Sequence, residues 1–189
     1  MSFYNQEQWF SELKAMIDKD SYLYWQEDAA IISVFDDVKY DRSDIDLLSP
    51  SMRRYITEKL KLLHCQLARG THLISPHGLS LFMPKPSVLG ASSFDITRYQ
   101  KRDEGDIYIL TPTQCAAYLL DNLSLEQAVA EIAKMLPSQP INLRKLEDHM
   151  RQSSQRNRML EALPFLRYEL RQAQEQAHMR HKRHIGSVF

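Results

Sequence analysis

The chain has 189 residues, 43% of them apolar and a quarter charged, with 24 Lys/Arg balancing 24 Asp/Glu. That supplies one full hydrophobic core, or a compact domain with a helical appendage, and too little for two large domains. Apolar runs end after about five residues, which excludes a membrane-spanning segment, and overall neutrality argues against a protein that coats nucleic acid.

Neutrality conceals segregation. The first fifty residues hold eleven acids against four bases, whereas residues 141–189 hold ten Lys/Arg, five acids and four of the seven histidines. Each end is suited to a partner of opposite charge, including the other end.

Trp9, Leu13 and Met16, widened by Phe10 and Ile17, recur at helical spacing and predict a first helix over about Asn5–Lys19. SYLYW and AAIISVF, around a polar QED, then read as two short strands rich in aromatic and β-branched residues, although AAIISVF could also form a buried helical turn. An acidic loop, DDVKYDRSDID, follows. Ser49 with Pro50 is a helix-start signal, and Ile56, Leu60, Leu63 and Leu67 carry the stripe of that helix to a cap at Gly70.

Four of the five glycines fall between Gly70 and Gly105, so the strands should concentrate in the middle third. THLIS and LSLFM around Pro76, His77 and Gly78 predict a tight hairpin, and SFDITRY with DIYILT predict a second. Together they would form a small antiparallel sheet, which the strands near Tyr22–Phe35 could join, with helices over one face.

Two capping boxes come next, Thr111 with Gln114 and Ser124 with Gln127, each opening a helix. A short helix around Leu143, Leu146 and Met150 leads to a long final one. There Leu163, Leu166, Leu170, Ala173 and Ala177 repeat by threes and fours, although Pro164 should kink or restart the helix.

None of HExxH, paired CxxC, GxSxG, a P-loop or GxGxxG occurs. Cys65 and Cys115 sit in apolar-periodic helical stretches and read as reduced core residues; adjacent His64 and Cys65 point in different directions on a helix. His72 and His77, on and beside the glycine-bearing hairpin, with Asp95 or Asp106 on neighbouring strands, could supply imidazole and carboxylate for acid/base work or part of a metal site, although a pair of turn and edge histidines is the preferred account. His178, His181 and His184 could place two metal ligands on one helix face, but a third at that interval drifts round the helix, and a solvated terminus is the preferred account. Neither a metal nor a cofactor is expected.

The basic segment is the strongest functional candidate. Arg144, Lys145, Arg151, Arg156, Arg158, Arg167, Arg171, Arg180, Lys182 and Arg183 could dock on an acidic protein or follow a phosphate backbone, although cations near a helix C-terminus also serve the helix itself. Few aromatic residues accompany them, which lowers the nucleic-acid reading.

The sequence therefore predicts an α+β fold, predominantly helical, with a small antiparallel sheet from the middle third and a long C-terminal helix. Residues 1–140 would form the core domain and 141–189 a basic helical extension packed on that core or on a partner. The expected role is a non-enzymatic cytosolic adaptor or regulator, since the N-terminus lacks the pattern of a secretory signal. The alternatives are a small enzyme using the middle-third histidines and a structural subunit that self-associates through the leucine stripe.

Overall fold

The structure, a computed structural model, describes residues 5–35, 48–68, 72–83, 105–152 and 156–186, with the side chains of 148–152, 156, 158–159 and 176–186 left aside. Six strands form one mixed sheet: β1 (Leu23–Gln26), β2 (Ile31–Val34), β3 (Gln66–Leu67), β4 (His72–Ile74), β5 (Ser80–Phe82) and β6 (Ile107–Leu110), in the spatial order β1-β2-β6-β5-β4-β3. The last strand in sequence lies near the middle, parallel to both neighbours, with Ile31 opposite Tyr108 and Leu81 opposite Ile107. The flanking pairs are antiparallel.

Side chains alternate across this sheet as strand geometry requires. Leu23, Ile32, Val34, Leu73, Leu81, Ile107 and Ile109 point to one face, where α1 (Gln6–Asp18) buries Trp9, Leu13 and Ile17 and α2 (Pro50–Leu62) buries Met52, Ile56 and Leu60. Ile31, Tyr108 and Leu110 point to the other, which α3 (Pro112–Asn122) covers over β2 and β6. Outside α3 lie α4 (Leu125–Met135), α5 (Leu143–Gln152) and α6 (Arg156–Gly186), and their apolar residues extend the same core.

The α+β class therefore stands, with two corrections. The sheet, which takes in the strands near Tyr22–Phe35, is mixed and not antiparallel, and helices pack on both faces. The proposed second hairpin fails because β6 has β2 on one edge and β5 on the other. Its intended partner, residues 93–99, and the acidic loop at 36–46 lie outside the described residues.

The helix starts follow the sequence. Ser49 caps α2 through the Met52 amide at 3.2 Å, Thr111 caps α3 through Gln114, and Ser124 caps α4 through Gln127. The end of α2 does not follow it. Instead of running to Gly70, the helix closes when the Cys65 amide bonds the Leu60 carbonyl at 3.1 Å and the His64 amide bonds that of Lys61 at 3.0 Å. These two bonds define a Schellman closure, with His64 in the left-handed position at φ 60°. Leu67 consequently leaves the helical stripe for β3, where it is exposed, and Cys65 lies just beyond the helix and is buried. Because a side chain disfavours that conformation, His64→Gly should raise stability by about 0.5–1 kcal/mol, read as a higher urea midpoint with unchanged slope.

At the other end, α6 continues through Pro164 and does not restart there.

Candidate functional site

The hairpin histidines are separated by the sheet. His72 on β4 stacks on Phe82 with ring centroids 4.9 Å apart and planes 7° from parallel, on the face shared with Tyr108. His77 occupies the β4–β5 turn and meets Trp9 of α1 edge-on at 6.5 Å, on the opposite face. Ser75 organises that turn, its hydroxyl accepting the His77 and Leu79 amides, while Gly78 supplies the positive φ. Asp106 accepts the Ser80 amide at 3.0 Å and so fixes the start of β5; Asp95 lies outside the described residues.

Both cysteines are free and buried, and burial pushes each thiol up to about 12, so neither offers a thiolate near neutrality. No group of three His, Cys, Asp or Glu among the described residues is placed to hold a metal ion. The backbone of α6 passes through His178, His181 and His184, whose side chains are outside the description.

Open α/β sheets usually bind ligands beyond the C-terminal ends of their parallel strands, where successive connections diverge to opposite faces. Here β6 leads to α3 on one face, and the chain after β2 reaches α2 on the other. Among the described residues, the polar groups at that end bond to one another. Thr111 and Gln114 close the capping box of α3 while fully buried, Thr113 Oγ1 accepts the Asn142 amide at 2.9 Å, and the Ser33 hydroxyl donates to Gln139 Oε1 at 2.9 Å. Such bonds stabilise a fold; they present no reactive group.

One ionisable cluster has a shifted acid. Asp20, with its side chain 3% exposed, receives Tyr55 Oη at 2.5 Å, Lys59 Nζ at 2.7 Å and the Tyr22 amide at 3.0 Å. Burial alone would push this carboxyl up, but the bonds from Lys59, Tyr55 and the Tyr22 amide outweigh it and hold the group below the usual carboxylate value. The cluster ties the end of α1 to the outer side of α2.

Because the folded value is depressed, its contribution is present above the unfolded value near pH 4 and is lost as pH falls through the folded one. Asp20→Asn should therefore cost about 1–2 kcal/mol at neutral pH, allowing for solvent around Lys59, and the gap from the natural chain should close below about pH 4. Urea unfolding of both proteins across that range measures it.

The basic segment divides. Arg144 on α5 is exposed and Lys145 is half-buried, its amide capped by Asn142; the side chains of Arg151, Arg156, Arg158, Arg180, Lys182 and Arg183 are outside the description. Arg167 and Arg171 stand exposed one turn apart on α6. Neither has an ion-pair partner among the described residues, whereas Lys14, Lys59, Lys61 and Lys134 are each paired with an acid.

The leucine stripe faces inward. Leu163 and Leu166 are buried, and Leu170 and Ala173 half-buried, in the core shared with α3, α4 and α5; the Ala177 side chain is outside the description. What the heptad pattern does not mark is the opposite face. Leu160, Phe165 and Tyr168 are 54%, 59% and 61% exposed, and Pro164 is exposed between them. Leu160, Pro164 and Tyr168 recur every fourth residue and stand on one ridge, with Arg167 and Arg171 to one side and Phe165 to the other. A signal existed in the sequence: Phe165 and Tyr168 are large apolar residues one turn apart and off the stripe.

No helix among the described residues is long and apolar enough to cross a membrane. No protein-family model matches the chain, and no curated protein or solved structure matches it.

Proposed function

We propose that this chain is a non-enzymatic cytosolic adaptor or regulatory protein that docks on an acidic protein partner through the outward face of α6. The observation that carries the reading is the exposed ridge of Leu160, Pro164 and Tyr168, with Phe165 beside it and, alongside, two guanidiniums that have no ion-pair partner among the described residues. Three large side chains more than half exposed on two adjacent turns form a patch of the kind used for association, and aromatic residues and arginine are favoured at the centres of such contacts.

Self-association through the leucine stripe is less well supported. Leu163 and Leu166 already belong to the chain's own core, so a second copy could use them only if that core opened. The enzyme reading lacks a convergent pair, since His72 and His77 lie on opposite faces of the sheet.

Chemical crosslinking of the tagged full chain in extract of its native cells, followed by mass spectrometry, tests the proposal. A defined set of partners should crosslink to α6 and vanish when Phe165→Asp and Tyr168→Asp are introduced together into a chain that keeps its circular dichroism. An identical set from both proteins would refute docking at this face.

A further inference from the structure

We draw no further inference here: the strongest candidate, the stacked rings of His72 and Phe82 on the α3 side of the outer strands β4 and β5, is a half-buried aromatic face, and nothing among the described residues shows what covers it.

Discussion

Replacing Pro164 with alanine should stabilise the folded chain by about 2–3 kcal/mol, which for a chain of this size corresponds to roughly 5–10 °C in the unfolding midpoint. Pro164 lies well inside α6, where it removes one backbone hydrogen bond and its ring crowds the preceding turn. Its side chain is exposed, so burial in the chain's own core does not offset that cost. Thermal unfolding of the two proteins measures the effect, and an unchanged or lower midpoint would show that the proline is accommodated without strain. A gain in stability accompanied by weaker capture of the partner would place Pro164 among residues retained for recognition.

Local signals were readable from the residues and distant ones were not. Ser49 with Pro50, Thr111 with Gln114, and Ser124 with Gln127 each mark a helix start through contacts within four residues, and all three form as read. The end of α2 escaped because the left-handed closing position holds His64, and only the glycine further on resembles a cap. Hairpins between neighbouring segments were also legible, as β1 with β2 and β4 with β5 demonstrate.

Strand order was harder. β6 contacts segments that precede it by about 25 and 75 residues, and no local pattern encodes that choice. Its composition did carry a clue. Ile107, Tyr108, Ile109 and Leu110 are all buried, and an uninterrupted apolar strand of this kind suits the middle of a parallel region covered on both faces better than a hairpin with one wet face. The same holds for Ile31, Ile32, Ser33 and Val34, where the one polar member finds Gln139 inside the core.

On α6, periodicity marks the face that packs and is silent about the face that does not. Leu163, Leu166 and Leu170 form the regular stripe, and once that stripe is assigned to a core, the apolar residues between its members become the informative ones. Phe165 follows Leu163 by two positions and Tyr168 precedes Leu170 by two, offsets that turn both away from the buried side. Their exposure follows from the packing of α4 and α5 against the other side of α6.

Two substitutions one residue apart on α6 should therefore behave in opposite ways. Leu166→Asp places a carboxylate where the side chain is fully buried beside Ala162 and Leu163, within the apolar core shared with α3, α4 and α5. Losing the leucine contacts and leaving an unpaired charge in that setting should cost about 5 kcal/mol or more, comparable to the whole stability of a typical domain. The expected outcome is loss of cooperative unfolding and of near-ultraviolet circular dichroism, not a folded monomer released from a dimer. Phe165→Asp changes a neighbouring side chain already in water and should alter stability by less than about 1 kcal/mol. If Leu166→Asp instead left a well-folded chain of lower mass in light scattering, the stripe would belong to an interface between copies, and the core assigned to α6 would have to be redrawn.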